Sequence, residues 1–505
     1  MHSPRRAAGL ASWLLWILAA VVLSGIISVS IVQGRHRMWF GLVALSTVLV
    51  FASLGRRWRL RVLLVSVLVS PLLLGSSVPL PFGLRLSQAA LLFVVAADVL
   101  SGFWQGHREP APAIVGARYY VPFALFAFAG LVSTYLNGEL FMFWTTVCLV
   151  PVLLLYAVER LATDETDGVW LIRAALVAIL GFAAIVWVAQ ATGHSQLMSK
   201  YGVMWRFADA RTITLGPLDF DVWSIRLGSL AALGVPAAVV LAVSAKTARE
   251  RLVYLAVMVA LAAVLGFTAA RGALIGAAVG AVVALFVSRR LTSTRVVFGL
   301  MVLAIILAIA GPSLLQLLPQ QGVARIADLG GGAGSILNFR YRVGVIDTAL
   351  SGILSHPLGP GFQYLWRQFH IDEAVAYTHI LNGTGLLGFC AFVAMIIQLC
   401  RGYLSGALRR SRGLPEDLAA IGIGTIVAAL LAGVSSQSVF TEPVQSYVLW
   451  TIVAASLTGL LRSRALARLG PAEVWGTRGE ETSRQPAEAH RLPSADAPLS
   501  EGRSV

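Results

Sequence analysis

Apolar stretches close to twenty residues long, joined by short polar connections, fill the chain from about residue 10 to residue 462. That pattern constrains the fold more than any other feature, because a helix needs roughly 20 apolar residues to cross the hydrocarbon core of a bilayer. Composition agrees with it. Hydrophobic residues make up 57% of the 505 and charged residues only 12%, half of the roughly 25% found in a soluble domain. Mean hydropathy is +0.79. A soluble enzyme, a disordered chain and a nucleic-acid-binding domain are thereby excluded, and an all-α polytopic membrane protein is the expected fold class. The net charge of +15 implies no nucleic acid partner, since arginines at cytoplasmic helix ends produce the same excess among membrane lipids. Lysine occurs only at Lys200 and Lys246 while Ala, Gly, Val, Leu and Arg abound, the usage of a high-GC bacterium.

The length criterion picks out fourteen candidate spans: 11–32, 38–54, 60–75, 86–104, 118–135, 140–158, 169–192, 222–244, 252–269, 271–287, 296–318, 380–400, 418–435 and 444–461. Several are short, so the expectation is 12–14 transmembrane helices. Arg5 and Arg6 precede the first run, which is too long for a signal peptide and lacks a small-residue cleavage site. Residues 1–9 are then a cytoplasmic N-terminus, 10–462 the transmembrane domain and 463–505 a disordered cytoplasmic tail. The three cysteines, Cys148, Cys390 and Cys400, lie inside apolar blocks with neither metal spacing nor a disulfide framework.

Arginine bias orients the chain. With the N-terminus inside, alternate connections carry Arg56, Arg57, Arg59 and Arg61, then Lys246, Arg249 and Arg251, then Arg289, Arg290 and Arg295, then Arg401, Arg409, Arg410 and Arg412. The opposite connections Asn137–Glu139 and Ser435–Pro443 hold no Lys or Arg, although Arg35 and Arg37 break the pattern. Both termini are therefore expected in the cytoplasm. Two large connections fall on the outer side, 193–221 and 319–378, the second including the glycine-rich run Gly330–Gly334.

These outer segments concentrate chemistry-bearing side chains. The first holds Arg211 and Asp219, with Arg226 just into the next helix; the second holds Arg340, Arg342, His356 and His379 at its far end. Arg271 stands at a tight outer turn between two spans. A charge at membrane depth either snorkels to the interface or faces a water-filled cavity. In the second case its planar fork suits phosphate oxygens. His379 is either a structural helix-end histidine or a neutral imidazole able to deprotonate a hydroxyl. No metal site is indicated.

Three stretches in this order resemble the bacterial O-antigen ligase and polysaccharide polymerase superfamily. Arg211-Thr-Ile-Thr-Leu-Gly-Pro-Leu-Asp219 is similar to its Arg–Gly–Pro–Asn segment, and Ala270-Arg-Gly-Ala-Leu-Ile-Gly276 to its Ser-Arg-Gly-Ala helix start. The third runs from Arg342 through His356-Pro-Leu-Gly-Pro-Gly-Phe362 to Gly385-Leu-Leu-Gly388 and resembles the large periplasmic loop and following helix. Asp219 and Ala270 replace the family's Asn and Ser, its histidine stands farther ahead of the glycine motif than His379 does, and its Glu before that motif is missing here.

The resemblance implies a GT-C-like membrane glycosyltransferase in the bacterial inner (plasma) membrane, with its active site on the extracytoplasmic side. A glycan on a polyprenyl-diphosphate carrier would be the donor, and a glycan, lipid or protein hydroxyl the acceptor, with neither metal nor cofactor. Arg211, Arg271, Arg340 and Arg342 would hold the diphosphate, His379 with Arg271 would be catalytic, and Asp219, His356 and Arg226 would support them. The same donor site would serve a repeat-unit polymerase. A flippase or other transporter of lipid-linked oligosaccharide is the reading from another class, but it calls for mid-span charges, of which the chain has few (Asp98 and Arg173). Reporters fused at Gly332 and at Arg410 should report opposite sides of the membrane; the same side for both would reject this topology.

Overall fold

The computed structural model describes residues 48–50, 56–65, 86–104, 115–139, 141–162, 165–191, 212–215, 218–221, 224–268, 270–289, 333–369, 375–407, 413–435 and 438–483. The candidate spans 11–32 and 296–318, most of 38–54 and of 60–75, residues 1–9, Arg211 and the tail from 484 lie outside the described residues.

Helices α1 (Arg56–Leu64), α2 (Leu86–Trp104) and α3 (Ala117–Leu136) come first. A continuous run follows, made of α4 (Phe141–Trp144), a π-helical turn (Thr145–Leu149) and α5 (Val150–Leu161). Then come α6 (Glu165–Ala191), an antiparallel hairpin of β1 (Thr212–Leu215) and β2 (Leu218–Asp221), α7 (Ser224–Ser244), α8 (Ala248–Thr268) and α9 (Arg271–Val287). The second half contains α10 (Ala333–Ser355), α11 (Tyr364–Phe369), α12 (Ala376–Ala407), α13 (Leu414–Ser435), α14 (Ser438–Thr441) and α15 (Pro443–Ser483). Among the described residues six helices are long and apolar enough to cross a membrane: α3, α12 and α13, and parts of α6, α7 and α15. The chain is a helical, multi-pass membrane protein.

Three features depart from the sequence expectation. The hairpin in the first outer segment is a small exception to an all-α chain. The segment 319–378, expected as one large loop, contains α10 and α11, because Val345 and Ala349 recur at helical spacing and bury a small core with Leu365. The last helix continues to Ser483 where a disordered tail was expected from 463. Arg464-Ala-Leu-Ala-Arg-Leu469 are all strong helix formers, and a polar composition does not by itself stop a helix.

Helix α9 crosses α13 at backbone contact. A Cβ on Gly276 would come within 2.6 Å of the Ala428 carbonyl, and one on Gly280 within 2.6 Å of the Gly424 carbonyl. The four-residue spacing of small residues on both helices (Gly276, Gly280 and Ala284 against Gly424, Ala428 and Ala432) permits this close antiparallel approach, as it does generally in membranes. Arg271 at the start of α9 therefore lies toward the C-terminal end of α13.

At the opposite end Arg289, after α9, pairs with Glu416 at the start of α13 at 3.8 Å. The same end gathers further ion pairs and one arginine–carbonyl bond. Asp98 meets Arg59 and Arg160 at 3.2 Å each, Arg173 meets Glu250 at 3.9 Å, and Arg462 donates to the Glu159 carbonyl at 2.6 Å. Both charges read as mid-span, Asp98 and Arg173, thus have local partners.

Gly280→Leu would drive a branched side chain into the α13 backbone. Overpacking costs about 1–3 kcal/mol, so the melting temperature of the detergent-solubilised protein should fall, while Val279→Leu on the exposed side of α9 should leave it unchanged.

Candidate functional site

Helix α12 is broken at Gly385, whose φ of 69° and ψ of −176° interrupt the helical course. In an unbroken helix the Leu386 N–H would donate to the Asn382 carbonyl, four residues back. Here both groups bond instead to the segment His356-Pro-Leu-Gly-Pro-Gly-Phe362. Leu386 N–H donates to the Pro357 carbonyl at 3.0 Å, and Gly361 N–H donates to the Asn382 carbonyl at 3.0 Å. The segment is thus inserted into the helix as a clip. Only glycine fits at the break, since a Cβ on Gly385 would lie 2.4 Å from the Leu358 carbonyl carbon, and the backbone is left-handed there.

The turn after α3 holds the clip from its other side. The Asn137 amide donates to the Gly359 carbonyl at 2.9 Å and to the Ser133 carbonyl at 2.7 Å. The Glu139 carboxylate is buried and accepts the N–H groups of Phe362 at 2.7 Å and Gln363 at 2.9 Å, just ahead of α11. Gly361 packs so closely on this carboxylate that a Cβ would come within 2.5 Å of Oε1. The Phe362 ring turns inward beside His379, with ring centroids 5.3 Å apart, and Phe143 completes a three-ring cluster, 6.3 Å from the imidazole and 6.4 Å from the Phe362 ring.

The residues expected at the site take distinct positions around this clip. Arg271 is the first residue of α9 and is partly buried; Ala270 before it is extended and provides no side-chain cap. A cation at a helix N-terminus opposes the helix dipole, so the guanidinium is not there to stabilise its own helix. Arg342, on α10, donates through Nη1 to the Val434 carbonyl at the end of α13, at 2.7 Å. Burial draws its pKa below the ordinary arginine value, from so high a start that the group stays charged. The Tyr377 hydroxyl donates to the Leu430 carbonyl, tying the first turn of α12, and with it His379, to the same end of α13.

Arg226 is the third residue of α7, and two residues on, Gly228 packs against Thr268 and Ala270 beside Arg271. Asp219 sits in the hairpin, paired through its backbone with Thr214. All three family-like stretches therefore reach one end of the bundle, with Arg211 outside the described residues.

Arg340 and Arg342 take different directions: residues two apart on a helix do not share a face, and Arg340 is exposed while Arg342 turns toward α13. His379 is buried in the first turn of α12 beside the clustered Phe143 and Phe362 rings, whereas His356 is exposed with Nδ1 3.2 Å from the Ser355 hydroxyl. Among the described residues no three His, Cys, Asp or Glu side chains are grouped to hold a metal ion.

Sequence reasoning missed Glu139, Asn137, Tyr377 and Asn382. For Glu139 a signal existed, an acidic residue in a three-residue turn between two apolar spans, but a count of Lys and Arg passes over it. Compared with protein-family models and with curated proteins, the chain gives no match.

Breaking the clip should be measurable. Hydrogen bonds to a charged acceptor contribute about 1.5–3 kcal/mol each, so Glu139→Ala should destabilise the fold by about 3 kcal/mol or more and speed tryptic cleavage after the exposed Arg367. Gly385→Ala should do the same. Unchanged melting and cleavage in both variants would mean that the clip holds nothing in place.

Proposed function

We propose that the chain is a membrane glycosyltransferase of the O-antigen ligase type. It moves a glycan from a polyprenyl-diphosphate carrier to an acceptor hydroxyl on the extracytoplasmic face of the bacterial inner membrane. The observation that carries this reading is the meeting, at one end of the bundle, of Arg271, Arg342, His379 and the Pro-Leu-Gly-Pro-Gly clip, the segments in which the sequence resembles that superfamily.

In this reading Arg271 and Arg342 face the diphosphate, which bidentate guanidinium groups suit. An anion beside the start of α9 would also meet the N-terminal end of that helix dipole. A histidine takes the proton of the acceptor hydroxyl, and the oxygen attacks the anomeric carbon. The bond from that carbon to the diphosphate oxygen breaks, and polyprenyl diphosphate leaves with its charge offset by the arginines. His379 is the assigned base, reached when the Phe362 ring moves aside; the exposure of His356 makes it the second assignment. The donor energy resides in the lipid diphosphate, so no nucleotide sugar is needed. A repeat-unit polymerase uses the same chemistry with a lipid-linked glycan as acceptor. The transporter reading loses support because Asp98 and Arg173 have partners at the opposite end of the bundle.

Arg271→Ala should lower transfer from a polyprenyl-diphosphate-linked glycan on the order of a hundredfold or more, from the loss of two charge-assisted hydrogen bonds at about 1.5–3 kcal/mol each. Arg271→Lys should recover part of it, since the ammonium keeps the charge but loses the fork. His379→Ala and His356→Ala, compared in the same assay, identify the base. Near-normal transfer by purified Arg271→Ala would reduce this arginine to an interfacial anchor.

A further inference from the structure

Helix α10 has three kinds of surface. Val345, Ala349, Gly352 and Ile353 are buried toward α11 and α12. The rest of its circumference is exposed, and at about 100° per residue that exposed arc divides in two. Val343, Ile346, Leu350 and Leu354 share one sector; Arg340, Asp347 and Ser351 share the next. A helix standing in water carries polar residues over its whole exposed face. Here Leu354 is 86% exposed, more than any other large hydrophobic side chain among the described residues.

The neighbouring elements indicate what covers this sector. It leads into Leu358, and the bond from Leu386 N–H to the Pro357 carbonyl brings Leu358 beside Leu386 and Leu387, all three about half exposed. Leu386 begins a straight stripe along α12 through Cys390, Val393, Ile397 and Leu404, exposed on one side of a helix long and apolar enough to cross the membrane. On such a span an outward apolar stripe faces acyl chains. The apolar sector of α10 is therefore continuous with the lipid-facing side of α12.

We propose that α10 is an interfacial membrane helix. Val343, Ile346, Leu350 and Leu354 lie among the acyl chains of the leaflet at the clip end, and Arg340, Asp347 and Ser351 face water and headgroups. The occupant of the apolar sector is bilayer lipid. Helices of this kind sink about 5–10 Å into the boundary between headgroups and chains. Because Arg342 on the same helix bonds to the end of α13, the leaflet surface then helps set the height of the candidate site. The inference does not depend on which reaction the site performs.

The test uses the full chain carrying Cys390→Ala and Cys400→Ala, reconstituted in phosphatidylethanolamine–phosphatidylglycerol vesicles. Leu350→Cys, Leu354→Cys, Asp347→Cys and Ser351→Cys are spin-labelled singly, and collisions with oxygen and with a water-soluble nickel chelate are measured. Labels at 350 and 354 should be open to oxygen and severalfold shielded from nickel, at a depth of about 5–10 Å. Labels at 347 and 351 should show the reverse. Equal nickel access at all four would place the helix in water, and shielding of 350 and 354 from both reagents would mean that protein covers the sector; either result overturns the proposal. Ile346→Cys and Val343→Cys, on the same sector, replace any variant that fails to elute as a single species.

Discussion

Two backbone hydrogen bonds exchanged at Gly385 hold the candidate site together. A polar backbone group left unsatisfied in an apolar setting costs several kcal/mol, so a helix cannot break inside the bundle unless another segment supplies its missing partners. The Pro357 carbonyl and the Gly361 N–H supply them. That requirement fixes where the clip sits, and the clip in turn fixes Phe362 against His379 and brings Phe362 and Gln363 to the Glu139 carboxylate. Three segments far apart in sequence, around residues 139, 360 and 385, become one unit.

The two ends of the bundle use charge differently. At one end acids and bases pair locally: Asp98 lies between Arg59 and Arg160, and Glu416 meets Arg289. At the other, the buried Glu139 binds backbone N–H groups, while Arg271 begins a helix and Arg342 binds a helix carbonyl. The close crossing of α9 and α13 keeps Arg271 and Val434 at that same end.

Length and hydrophobicity made the six long apolar helices among the described residues legible, and the described arginines Arg59, Arg251 and Arg289 lie at the end of the bundle opposite Asn137–Glu139. What stayed hidden depends on contacts between distant residues. Nothing near Gly385 in sequence distinguishes a helix break from another small residue in a span, because its cause lies at Pro357 and Gly361. Arg340 and Arg342 look equivalent as a pair in a loop and diverge only once that loop is known to be helical. His379 looked like a residue at a helix mouth, and its burial comes from Phe143 and Phe362. The helical tail to Ser483 was obscured by its polarity and by Gly470, Pro471, Gly476 and Gly479, although Arg464–Leu469 favour a helix.

The break in α12 carries one more consequence. Leu386 N–H and the Asn382 carbonyl, which the clip holds apart, are each other's ordinary helical partners. Withdrawal of the clip would leave neither orphaned, since the helix can close on itself by turning a glycine that accepts both backbone conformations. The loop and the helix thus compete for the same two groups. Along α12 itself the count of hydrogen bonds is even, so the clipped arrangement is favoured by the clip's own contacts: Asn137 on the Gly359 carbonyl, Glu139 on the Phe362 and Gln363 N–H groups, and the Phe362 ring beside His379.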